Sequence, residues 1–205
     1  MVNNYVTFDD VLKNPCKKVS VEEGKKIAVE LINKLVKDKN AIGLAANQVG
    51  IDASVAVVNV IEPIIIINPK IIKMWDEISY VEGCLSFPGN PKSTKRYKYV
   101  QYTDSLIQES RGEDASVVYG PTSSETETQK KTTYERQLLE SVCVQHEIDH
   151  LYGIRILDRE QQLQPVISER KIGRNEKVTI KKENETQVIK YKKAKPFLDD
   201  GWVIQ

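Results

Sequence analysis

The chain has 205 residues, 40% of them hydrophobic, with 30 basic against 29 acidic side chains, which at roughly 150 residues per domain is one domain plus something extra. A net charge of +1 excludes an overall field strong enough to make nucleic acid or an anionic membrane the default partner, and no apolar run approaches the roughly 18 residues of a membrane span. With Gly counted in place of Tyr, the apolar share stays at about 40% against an ordinary 45–50%, so a few segments must be unusually polar.

The first residues, MVNNYVTFDD, lack the basic flank and apolar stretch of a secretory signal, and a cytosolic setting with reduced thiols is expected. An arm containing Asn14-Pro15 leads to a helix whose start is marked by Ser20 and Glu23, spaced as a capping box. Ile27, Leu31, Ile32, Leu35 and Val36 recur at helical spacing up to about Lys37. Asn40 and Gly43 end that pattern, and the small-residue stretch AIGLAANQVGI leads into a β-branched run at 55–60. Further short strands are expected at 64–67, stopped by Asn68-Pro69, at 78–81 and at 100–103.

The stretch 108–131 is rich in Ser, Thr, Glu, Gln and Lys, with Val117-Val118-Tyr119 as its only apolar cluster. So little apolar surface does not offset the entropy of ordering, and a mobile surface insertion is expected there. A second helix is expected over 134–151, with Leu138, Leu139, Val142, Cys143, His146 and His150 on one face. The Lys-rich C-terminus alternates in VTIKK and QVIKY around ENET, a hairpin pattern.

Three cysteines, Cys16, Cys84 and Cys143, are an odd number without a C-x-x-C pair, which argues against a disulfide framework or a zinc ribbon. Only two histidines are present, and both fall in His146-Glu147-x-x-His150. Imidazoles four residues apart on a helix share a face and can hold one metal ion, with the adjacent Glu in reach of its water. The competing reading is a helix with two hydrogen-bonded, partly buried histidines. A catalytic metal needs a third protein ligand, a thiolate or a carboxylate. Cys84 stands in EGCLSFP just after a strand-like segment, although an isolated cysteine is more often a small buried hydrophobe; Cys16 and Cys143 fit that packing role. The run Gly43–Gln48 allows close backbone approach and ends in an amide able to donate to an oxyanion.

Taken together, Ala41-Ile42-Gly43-Leu44-Ala45-Ala46-Asn47-Gln48, Glu82-Gly83-Cys84-Leu85-Ser86 and Gln145-His146-Glu147-Ile148-Asp149-His150 resemble, in order, the three signature motifs of peptide deformylases. Two match completely, and the first differs only in Ala41, where the family usually has Gly. The resemblance covers about 1–104 and 132–160, including NPCKKVSV and HLYGIRILDR. It implies an α+β fold with mixed or antiparallel sheets around a central helix carrying H-E-x-x-H. Residues 1–160 would form the catalytic domain, with the polar insertion at 108–131, and 161–205 a C-terminal extension.

The implied activity is metal-dependent hydrolysis of the N-formyl group from the formylmethionine of nascent polypeptides, releasing formate. Cys84, His146 and His150 would bind one divalent ion, Fe2+ in the cell, with Zn2+, Ni2+ or Co2+ able to replace it. Glu147 would be the general base and acid, and the Gln48 amide and Leu85 N–H would hold the oxyanion. The substrate backbone would lie along Gly43 and Gly83, with the methionine side chain among Ile42, Tyr80, Leu139, Val142 and Cys143. Where many members carry an Arg after EGCLS this chain has Pro91, with Lys92, Lys95 or Arg96 as nearby substitutes; Asp149 reads equally as a ligand-orienting or a solvated carboxylate. A cytoplasmic monomer is expected, from a bacterial or phage gene, with ribosome contact through the basic C-terminus and no membrane partner. Two alternatives stand. A zinc peptidase would need Glu160 or Glu169 as third ligand, and a non-catalytic binding protein would not need intact Gln48, Cys84, Glu147 and both histidines.

Overall fold

The computed structural model describes residues 5–7, 9–122, 127–159, 177–182, 185–199 and 202–204, and the chain divides into two compact units, Met1–Gln162 and Leu163–Gln205. In the first unit a short turn of helix, α1 (Asp9–Leu12), precedes α2 (Val21–Leu35). Ser20 caps α2 as its spacing predicts, its hydroxyl accepting from Glu23 N–H at 3.2 Å. Gly24, Ala28, Leu31 and Leu35 form the buried stripe. A Cβ on Gly24 would lie 2.8 Å from two atoms of Ile67, so the glycine is what lets the helix approach the strand beneath it.

That strand belongs to an antiparallel sheet in the order β1-β2-β3, made of β1 (Gly43–Ala45), β2 (Val55–Asn59) and β3 (Pro63–Ile67). The unbroken apolar run of β2 has a physical reason: the strand is covered on both faces. Val55 and Val57 join the core under α2; Ala56 and Val58 join a second core with Val144, Ile148 and Leu151. A second antiparallel sheet, β4-β5-β6, contains β4 (Lys70–Glu82), β5 (Lys92–Thr103) and β6 (Val117–Tyr119). The strand expected at 78–81 is thus the end of a 13-residue strand. Its charged first half gives no alternation to read, and its pairing with β5, reinforced by Trp75 stacked on Tyr99 at 5.1 Å, holds it extended.

The stretch 108–131, expected to be a mobile insertion, contains regular elements in its described part. It begins inside α3 (Ser105–Arg111), capped by Asp104, which accepts from Ile107 N–H at 2.7 Å. It continues through β6, whose Tyr119 pairs opposite Val100 and stacks on Tyr102 at 5.9 Å. Local composition reports only what a segment can bury by itself; the partners that order this one come from β5. Residues 123–126 lie outside the described residues. The helix expected from 134 begins earlier, as α4 (Glu127–Leu151).

α4 carries the H-E-x-x-H motif and packs between the two sheets, sharing one core with Ile66, Val100 and Tyr102. Fold class is therefore α+β around a central helix, and every strand pairing among the described residues is antiparallel. No helix of the described residues is long and apolar enough to cross a membrane.

In the second unit β7 (Lys177–Lys182) and β8 (Glu185–Lys190) pair antiparallel, followed by α5 (Lys195–Asp199) and β9 (Val203–Ile204), which adds to β7. Val178, Ala194 and Trp202 are its small core, with Phe197 edge-on to Trp202 at 5.7 Å.

Candidate active site

His146 and His150 leave the same face of α4, with rings 4.9 Å apart and Nε2 atoms 3.2 Å apart. Cys84 follows β4 after Gly83, where a turn closed by Phe87 N–H on the Cys84 carbonyl (3.0 Å) carries the thiol inward. Its Sγ reaches 3.3 Å from His150 Nε2. All three ligand atoms lie within 4.8 Å of one another and all three residues are buried. One sulfur and two imidazole nitrogens suit a borderline-soft divalent ion, and three protein ligands leave a position for water or substrate. Glu160 and Glu169, the third ligands a peptidase site would need, lie outside the described residues.

His146 turns its second nitrogen, Nδ1, to Glu82 Oε2 at 3.1 Å. Glu82 Oε1 accepts in turn from Thr94 Oγ1 (2.6 Å) and Arg96 Nε (2.8 Å), and Arg96 also pairs with Asp149, which receives Arg159 at 3.0 and 2.8 Å. Burial raises the Glu82 carboxyl, but the hydrogen bond and charge of His146, with Arg96 and Thr94, outweigh it and hold it at about 2. Asp149 is thus a buried, doubly paired carboxylate. Arg96, expected as a substitute for the family's arginine, faces this network, and Lys95 pairs with Glu77. Sequence reasoning missed the roles of Glu82 and Arg96, because only the β4–β5 register, with Ile78 opposite Arg96 and Tyr80 opposite Thr94, brings them together. Arg96→Met leaves the buried Glu82 without its arginine, and Asp149 with Arg159 alone, and is expected to cost about 3–5 kcal/mol, read as a lower denaturation midpoint.

Across the site, Gln48 stands on a 3₁₀ turn, Ala46–Val49, right after β1. Ala45 N–H donates to Gln48 Oε1 at 2.9 Å, which turns the amide nitrogen toward Cys84 Sγ (3.6 Å) and Ser86 Oγ (3.4 Å). Glu147 is 3% exposed, and its Oε2 has no hydrogen-bond partner among the described residues. Burial raises its carboxyl to about 7, with the Glu82 charge adding to the rise against those of His146 and Arg96. A Cβ on Gly43 would collide with Glu147 Oε1 and sit 2.7 Å from Cys143 Sγ, so the glycine admits the carboxylate. Gly43→Ala is expected to displace Glu147, lowering kcat at least tenfold, while the overpacking costs about 1–3 kcal/mol; steady-state kinetics and thermal melts check both.

A cavity of about 390 Å³ opens on this arrangement. Ile42, Gly43, Tyr80, Gly83, Leu139, Val142 and Cys143 all line it, together with Gln48, Cys84, Leu85, His146 and Glu147. His150 stands beside the lining, 3.3 Å from Cys84 Sγ, and Pro91 is part of it, whereas Asp149 lies apart in the Arg96 network. Cys143, read as a packing residue, both packs in the core and forms cavity wall.

Comparison with known proteins agrees with this geometry. The pattern of the polypeptide deformylase family matches residues 4–115 and 122–166, leaving only a short break inside the stretch read as an insertion. The chain is 35% identical over 152 residues to a peptide deformylase of Buchnera aphidicola, covering 72% of this chain and 75% of that one. It is 36% identical over 154 residues to one of Dictyoglomus thermophilum, covering 74% and 87%. The crystal structure of peptide deformylase from Thermotoga maritima superposes with a TM-score of 0.58 at 31% identity, covering 77% of this chain and 96% of that one. The chain belongs to the polypeptide deformylase family.

Proposed function

We propose that this chain hydrolyses the formyl amide of N-formylmethionyl peptides, releasing formate and a free amino terminus. The observation that carries the reading is the convergence at one cavity of three buried metal-ligand atoms, a directed Gln48 amide and a Glu147 carboxylate whose Oε2 has no partner among the described residues. Cys84 Sγ, His146 Nε2 and His150 Nε2 would hold one divalent ion, ferrous iron in the cell. When bound, the ion supplies Lewis acidity that acidifies water and polarises the formyl oxygen.

Glu147 takes the proton of the attacking water and later delivers it to the departing amine nitrogen as the C–N bond breaks. Gln48 Nε2 and the Leu85 backbone N–H hold the oxyanion of the tetrahedral species. Methionine fills the apolar wall of Ile42, Tyr80, Leu139, Val142 and Cys143. The peptide backbone extends along Gly43, where β1 pairs with β2 alone, and past Gly83, where a Cβ would meet nothing within 4 Å.

The chain is taken to act as a monomer in the cytosol, a setting suited to the free thiols of Cys16, Cys84 and Cys143. Its C-terminal unit is read as a contact for ribosomal RNA, because exposed Lys177 and Lys190 stand directly opposite each other, a repulsion that a phosphate would relieve. The substrate reading is tested by comparing formyl-Met-Ala-Ser with acetyl-Met-Ala-Ser: formate release from the first and no hydrolysis of the second is expected, and equal turnover of both would refute it.

A further inference from the structure

We infer that Asn47 is the positioning residue of the metal ligand His150. A histidine that binds a metal through one nitrogen carries its proton on the other, and that N–H needs an acceptor to fix the ring and its tautomer. His146 has such an acceptor in Glu82. His150, with Nε2 facing Cys84 and His146, has none: its Nδ1 is buried and meets no protein partner among the described residues. Buried side-chain atoms without a partner are few, and the only other one outside Glu147 among the described residues is Asn47 Oδ1.

The two orphans complement each other, a donor and an acceptor, and their residues already touch. Asn47 Nδ2 donates to the His150 carbonyl at 2.7 Å, which fixes the amide orientation and leaves Oδ1 as the free acceptor. Asn47 is 3% exposed and His150 1%, so bulk solvent does not answer either atom. Asn47 Oδ1 takes the Nδ1 proton of His150 across one buried water, since the two atoms make no direct hydrogen bond. The 3₁₀ turn that bears Asn47 also bears Gln48, so one turn sets an oxyanion donor and a metal ligand together; its place is held by Val6 N–H on the Gln48 carbonyl at 2.7 Å and by Gly50 at φ 83°.

The inference rests on the metal-binding reading of Cys84, His146 and His150. It is tested on the whole zinc-loaded chain with ¹⁵N-labelled histidine, where the two histidines of the sequence give two imidazole systems. In the unsubstituted chain both Nδ1 atoms are expected to carry protons protected from exchange. In Asn47→Leu the His150 proton is expected to lose its protection and the zinc Kd to rise about 10–100-fold, while the His146 proton, held by Glu82, stays protected. A merely structural role for Asn47 would leave the His150 proton as it is. An unchanged His150 proton with a zinc Kd within about twofold overturns the assignment, as does an unprotonated or freely exchanging His150 Nδ1 in the unsubstituted chain, a reading that does not depend on the variant folding. Failure of the unsubstituted chain to bind zinc would instead overturn the metal reading beneath it.

Discussion

Glu147→Gln is expected to keep its metal and its fold and to lose about 10²–10⁴-fold in kcat, the usual contribution of a positioned general acid or base. The substitution preserves shape, so the close fit against Gly43 persists, and it removes only the ability to accept a proton. Glu147 is suited to that task by its surroundings. Its Oε2 has no hydrogen-bond partner among the described residues, and burial raises its carboxyl to about 7, above the range of a solvated glutamate. Metal content and turnover measured on one preparation check the result; a variant that retains more than a tenth of the activity would remove Glu147 from the proton-transfer role.

Cys84→Ala is expected to be as damaging by a different route. It removes one of three ligand atoms that lie within 4.8 Å of one another. Losing a hydrogen-bond partner of a metal ligand typically costs about 10–100-fold in affinity, and losing the ligand itself should cost more. The protein should emerge from dialysis with well under one metal per chain, with turnover lost and with a lower thermal midpoint, since an ion that binds only the folded chain stabilises it. Stoichiometric metal in this variant would mean that the third ligand is another group.

Much of this site is legible in the sequence alone, because its signals are local. Two histidines at i and i+4 share a helix face whatever surrounds them, and Ser20 with Glu23 marks a helix start through a contact three residues long. What stays hidden depends on register and on partners distant in the chain. Glu82, Thr94 and Arg96 meet because β4 and β5 place alternate residues on one face. Asp149 reads as ready for solvent as for a ligand, and its pairing with Arg96 and Arg159 needs both that register and the turn after α4. Polar composition likewise conceals β6, a strand of three residues that owes its place to Val100 and Tyr102. Gln48 is recognisable as a donor, but the direction of its amide is set by a single bond from Ala45.

The most direct test is formate release from formyl-Met-Ala-Ser by anaerobically prepared, iron-loaded protein. Stoichiometric production of formate and Met-Ala-Ser, abolished when the metal is chelated and restored when iron is returned, is the predicted result. A folded chain with one iron bound that releases no formate would contradict the account.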